Sequence, residues 1–132
     1  MAGAAHCRSR TPELCAKAWW DSNRSTVIGF CRLTQLSVLR LLTTPAATFG
    51  NPLSMERAWE AYDRLFEDVR VMFVLEPPDL DDSFRIAAMS KAASPKLWAD
   101  AYLLAFAEHA PGHVVTFDRA LARRSPGSIL LA

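Results

Sequence analysis

An α/β fold with a central, mostly parallel sheet is predicted by three features of this sequence. Short apolar runs rich in β-branched and aromatic residues recur at 26–30, 69–75, 113–117 and 128–131. Segments of helical period lie between them, as the crossovers of a parallel sheet require. Proline, glycine and small polar residues punctuate the junctions. The 132 residues suffice for one domain with a real core, and the apolar (51%) and charged (22%) fractions are those of a globular chain.

Taken in order, residues 1–10 are small, polar and basic and are expected to be an unstructured segment ahead of a domain spanning 11–132. Thr11 is placed to cap a helix, with Pro12 at its first position, Glu13 in its first turn, and an apolar stripe of Leu14, Ala18 and Trp19. The run from Thr26 to Phe30 reads as a buried strand. From Arg32 to Thr43, leucines 33, 36, 39 and 42 recur at helical spacing, and the Pro-, Gly- and Asn-bearing stretch 45–52 is a loop. Ser54 caps the next helix, which runs to about Glu67 and is expected to bury Ala58, Trp59, Tyr62, Leu65 and Phe66.

A second strand, Val69 to Leu75, stops at Pro77-Pro78. A helix from Asp79 to Lys91 follows, with Leu80, Phe84, Ala87 and Ala88 inward. Ser94-Pro95 opens a strongly apolar helix through Glu108, which Pro111-Gly112 ends. His113 to Phe117 is a third strand, 118–124 a short helical turn, and Ser128 to Leu131 a fourth strand. The chain opens on a helix, so the first strand that such folds place in the sheet centre is not visible.

Fifteen Lys and Arg against fourteen Asp and Glu leave a net charge of +1, so any contact with nucleic acid has to come from a local patch. No apolar run approaches the length of about eighteen residues that spans a bilayer, and no signal-peptide core is present, so no membrane is expected and the cytoplasm is the expected location. Cys7, Cys15 and Cys31 lack zinc-ligand spacing with His6, His109 and His113, and are expected to be free thiols.

Two carboxylates stand where chemistry is expected. Asp118 follows a strand at its carboxyl end, where α/β sheets carry their sites. It either binds a hard cation such as Mg²⁺ or Mn²⁺, with Thr116 adding a hydroxyl, or caps the next helical turn. Asp100 falls inside an apolar helix beside Trp98, Ala101, Leu103 and Leu104, where a charge is costly unless it is paired or metal-bound. Lys96, one turn earlier, is the candidate for pairing. Arg32, Arg40 and Arg119, with Arg123 and Arg124, form either a phosphate-tracking patch or a solvated face. The tryptophans are expected in the core or at an interface.

The stretch Leu97 to Ala107, followed by Val114-Val115-Thr116-Phe117-Asp118-Arg119, resembles the C-terminal signature of PIN domains, and more narrowly the VapC-type toxins of bacterial toxin–antitoxin pairs. Cys31-Arg32-Leu33-Thr34-Gln35-Leu36, leading to Leu39 through Thr43 and Pro45, resembles the first long central helix of that family, and the similarity covers roughly residues 11 to 131. The resemblance implies an α/β/α sandwich in which about four acidic residues hold one or two Mg²⁺ or Mn²⁺ ions for RNA cleavage. It further implies Asp100 and Asp118 as metal ligands, Thr116 as a supporting hydroxyl, and Arg32, Arg40 and Arg119 on the RNA. An antitoxin protein and a homodimer are the implied partners.

Two departures from the family pattern bear on activity. The strand-ending Asp with which the family begins has no counterpart before the Trp19-Trp20 helix, and Gln35 stands where the central helix usually carries Glu. Gln is uncharged and a poor Mg²⁺ ligand. The expectation is a weak or inactive ribonuclease, N-terminally truncated, and a reading of the DNA upstream of Met1 for a short apolar strand ending in Asp tests the truncation. The alternative is a non-catalytic PIN-like protein that dimerises or binds an antitoxin.

Overall fold

The computed structural model describes residues 11–110 and 112–131. The expected unstructured segment 1–10 and the helix-stopping Pro111 lie outside them. Among these residues six helices and four short strands follow in the order α1 Pro12–Ser22, β1 Ile28–Phe30, α2 Arg32–Leu42, α3 Met55–Leu65, β2 Val71–Phe73, α4 Leu80–Ala87, α5 Leu97–His109, β3 Val115–Thr116, α6 Arg119–Arg124 and β4 Ile129–Leu130. The α/β class and parallel pairing hold. The strands form two parallel pairs, β1 with β2 and β3 with β4, each joined through helices as parallel strands must be. The chain divides into two compact units, Ser25–Glu76 and the segments on either side of it.

Within Ser25–Glu76, β1 pairs with β2 in register Ile28 to Val71 and Phe30 to Phe73. Gly29 sits where β1 runs close to Val74, since a Cβ there would stand 2.8 Å from a Val74 methyl. Ser54 caps α3 as expected, its Oγ accepting from the Arg57 N–H at 3.2 Å. Ala58 and Tyr62 are buried, but Trp59 is 46% exposed and Leu65 and Phe66 are only half-buried. The core is aromatic: Tyr62 meets Phe30, Trp59 and Phe66 at centroid separations of 6.1, 6.0 and 5.1 Å.

The leucine repeat of α2 is not its buried face. Leu36 is 56% exposed, and the one buried side chain of this helix is Gln35. An i+3 repeat drifts around a helix of 3.6 residues per turn, so a leucine series at that spacing does not hold one face. Residues 45–52 are not wholly irregular either, because Pro45–Ala47 makes a turn of 3₁₀ helix.

In the flanking unit, α4 packs on α5, with Leu80, Ala101, Ala105 and Phe106 buried. Ala101 and Ala105 lie one turn apart, and their small side chains let another element approach closely. Asp79 starts α4 in the left-handed region (φ 62°), and α4 ends at Ala87 rather than continuing to Lys91. The Ser94-Pro95 cap also does not form as expected. Leu97 N–H bonds back to the Ser94 carbonyl at 3.0 Å, and the helix begins two residues later with Lys96 as its uncapped boundary residue.

At the C-terminal end, β3 pairs with β4 and α6 bridges them. Gly127 turns the chain into β4 at φ 79°, and a Cβ there would lie 2.8 Å from the His113 ring. Gly127→Ala is therefore expected to destabilise the fold by about 1–2 kcal/mol or more, read as a lower midpoint in urea denaturation. Cys31 is buried and free, in keeping with the expectation for thiols. Cys15 corrects that expectation, since it is disulfide-bonded. The lack of ligand spacing argues against zinc but leaves a disulfide open, because that bond asks only for close Cα atoms.

Candidate functional site

Asp118 sits between the end of β3 and the start of α6, and its carboxylate has two tasks. Oδ1 accepts from the N–H groups of Ala120 (2.8 Å) and Leu121 (3.1 Å), which makes Asp118 the N-cap of α6. Oδ2 accepts from the Lys96 ammonium at 2.6 Å. Thr116 supports the same turn, its Oγ1 accepting from the Asp118 N–H at 3.0 Å. The hydroxyl expected at the site thus acts on the backbone that aims Asp118.

Asp100 occupies the first turn of α5 and is half-buried. It is not the interior charge that the sequence suggests, because the helix starts two residues later than expected and Trp98 beside it is 62% exposed. A carboxylate in a first turn is favoured by the helix dipole. The pairing with Lys96 is also corrected. Lys96 reaches across 22 residues to Asp118, and among the described residues Asp100 has neither a hydrogen bond nor an ion pair. Asp100 still acts on that ammonium: the Lys96 pKa is raised, chiefly by its hydrogen bond with Asp118, and the charge of Asp100 adds to the effect. One lysine therefore answers to both carboxylates.

The Asp118 pKa is lowered, first by the Lys96 hydrogen bond and then by the backbone N–H of Leu121. The sign of the pH effect follows. A depressed carboxylate contributes stability above its unfolded value, near 3.8, and loses it as the pH falls through the folded value. The raised Lys96 contributes below its unfolded value, near 10.5, and loses it as the pH rises through the folded one. Lys96→Met is expected to flatten both limbs of a stability-against-pH curve, and rising salt to do the same to the native protein, because the Lys96 side chain is 73% exposed.

Among the described residues no group of three or more His, Cys, Asp or Glu comes together as a metal centre would need. The donors available are the carboxylates of Asp100 and Asp118. A largely hydrated Mg²⁺ or Mn²⁺ binds through as few as one or two carboxylates and keeps waters, and Oδ2 of Asp118 is occupied by Lys96.

Gln35, Arg32 and Arg40 belong to the other unit. Gln35 is 7% exposed, and its Oε1 accepts from an Arg32 guanidinium N–H. Arg32 also lies over the Phe73 ring, 4.9 Å from its centroid. Arg40 is exposed in the last turn of α2, where a cation is favoured by the dipole. Arg119 is exposed on α6. Arg124 is spoken for, since its guanidinium donates to the Ala87 carbonyl at 2.7 Å and ties α6 to the end of α4. The structure brings Thr116, Asp118 and Lys96 together, and separately Arg32 and Gln35. No local pattern pairs residues 96 and 118, so only the folded chain reveals that contact.

A family model described as PIN domain matches residues 4–125. Ribonuclease VapC41 of Mycobacterium tuberculosis, from strains CDC 1551 / Oshkosh and ATCC 25618 / H37Rv, is 38% identical over 128 residues, with 93% of this chain and 84% of the relative covered. The chain belongs to the PIN-domain family and is a PIN protein of the VapC type.

Proposed function

We propose that this protein is a metal-dependent endoribonuclease of the VapC toxin type whose site, as encoded, is weak. The reading is carried by 38% identity to a ribonuclease, with Asp118 just after a parallel strand and bonded to the Lys96 ammonium, on which the charge of Asp100 also acts. Bound there, Mg²⁺ or Mn²⁺ would supply Lewis-acid stabilisation of phosphate charge and a more acidic water. The chain's own residues do the rest. Thr116 and the α6 backbone fix the Asp118 carboxylate, Asp100 offers one not committed elsewhere, and Lys96 must move off Oδ2. Gln35, hydrogen-bonded and uncharged, adds no third carboxylate. Arg32, Arg40 and Arg119 are exposed cations proposed to contact RNA.

The cytoplasm is the proposed location. Among the described residues no helix is long and apolar enough to cross a membrane. A cognate antitoxin and a second copy of the chain are the proposed partners. Ile86 (76% exposed), Met89 (78%) and Trp98 (62%), on and just after α4 and at the start of α5, favour such contacts and keep a purely interacting role as the second reading. Incubation of the purified chain with structured RNA, with Mg²⁺, with Mn²⁺ and with EDTA, separates the two. Cleavage that needs the metal supports the ribonuclease, and cleavage unaffected by EDTA, or none at all, sinks it.

A further inference from the structure

The carboxylates of Asp100 and Asp118 leave a second concavity unused. Within Ser25–Glu76, a cleft of about 290 Å³ is lined by Arg32, Gln35, Tyr62, Asp63, Phe66 and Phe73. That volume lies just below the roughly 300–1,000 Å³ of pockets that enclose a ligand, and the cleft is open to solvent, so it suits a flat group laid against it. Its walls are flat: the Phe73 ring carries the Arg32 guanidinium 4.9 Å from its centroid, and Phe66 stands nearby. Unpaired bases stack on aromatic rings and on guanidinium planes of this kind.

The polar groups of the cleft are partly spoken for and partly not. Gln35, 7% exposed, is held by Arg32. Tyr62 is only 4% exposed, and among the described residues its hydroxyl has no partner in full hydrogen-bond geometry. Burial raises its pKa, while hydrogen bonding with the neighbouring Gln35 side chain and the charge of Arg32 lower it, and the charge of Asp63 raises it. The phenol therefore stands within electrostatic reach of a guanidinium and a carboxylate that line the same cleft.

The charges of the cleft select among ligands. A bare phosphate would meet the carboxylate of Asp63 beside Arg32, and an apolar molecule would strand four polar side chains. A nucleobase presents flat faces to the walls and polar edges to the rim. Among the bases, guanine offers two acceptors (O6 and N7) that suit a guanidinium fork, and two donors (N1–H and the N2 amine) that suit a carboxylate. Adenine places its N6 donor where Arg32 also donates, and it has no paired donors for Asp63.

We propose that this cleft binds a single unpaired guanine, with Arg32 on its O6/N7 edge, Asp63 on its N1/N2 edge, and Phe66 against its face. The proposal rests on the ribonuclease reading, for which it names a base preference in the RNA. The test is titration of the full chain in EDTA with GMP, IMP and AMP, followed by calorimetry or NMR, so that no cleavage takes place. GMP is expected to bind about tenfold or more tighter than AMP, with IMP, which lacks the N2 amine, weaker than GMP. Asp63→Asn, at an exposed position, should erase the advantage of GMP over IMP, and Arg32→Lys should weaken GMP binding while a melting curve confirms that each variant is folded. Equal binding of GMP and AMP, or an Asp63→Asn protein that keeps the full GMP preference, would overturn the proposal. Metal-dependent RNA cleavage by the native chain is scored separately. Cleavage without guanine binding sinks the cleft alone, and guanine binding without cleavage sinks the ribonuclease alone.

Discussion

Asp100→Asn is expected to lower metal-dependent RNA cleavage by at least about a hundredfold, the scale of losing one electrostatic group at a reacting centre. The same change should move folding stability by about 0.5 kcal/mol or less. The asymmetry follows from its surroundings. Asp100 is half-buried in the first turn of α5, with no hydrogen bond or ion pair among the described residues, so the fold gains little from its charge beyond the helix dipole. Asp118 differs. Asp118→Ala removes the α6 cap and the Lys96 partner together, so both stability and cleavage should fall, whereas Asp118→Asn keeps an oxygen for the cap and should spare more of the stability. Initial cleavage rates and urea midpoints on the same preparations check both. If Asp100→Asn cuts RNA at the native rate, the observed activity comes from elsewhere.

Tyr62 should give the largest effect on stability. Its ring meets three other aromatic rings and is 4% exposed, so Tyr62→Ala is expected to cost about 3–5 kcal/mol through lost burial and the cavity left behind. Tyr62→Phe keeps the ring and removes only the hydroxyl. Because that hydroxyl is buried without a partner, the variant should be as stable as the native protein or gain about 1 kcal/mol. Thermal and urea unfolding of the two variants decide the matter, and a Tyr62→Phe protein clearly less stable than the native one would show that the hydroxyl is satisfied after all.

The sequence was legible where local rules dominate. The Ser54 cap, the Pro12 start of α1 and the order of strands and helices follow from capping chemistry and hydrophobic period, and the structure repeats them. Strand lengths were less legible. The apolar run 69–75 yields only Val71–Phe73 as strand, because ladder length depends on what the partner strand offers and not on propensity alone. The leucines of α2 marked a helix that the structure bears out, but not its buried residue. Their spacing names a helix, but the chain buries Gln35, and Arg32 satisfies it.

The family and the α/β class were set by the sequence alone, which also singles out Asp100 and Asp118 as candidates, since all of these rest on residue identity at short spacings and on 3.6- and 2-residue periods. The folded chain alone decided what those carboxylates do at rest. Lys96 bonds Asp118 and not the Asp100 one turn away, because a contact across 22 residues depends on where α5 and the β3–α6 turn are placed and leaves no local trace. The same holds for the cleft of Arg32, Tyr62, Asp63 and Phe73. Its members come from α2, α3 and β2, and only packing brings an orphaned hydroxyl, a stacked guanidinium and a carboxylate to one wall.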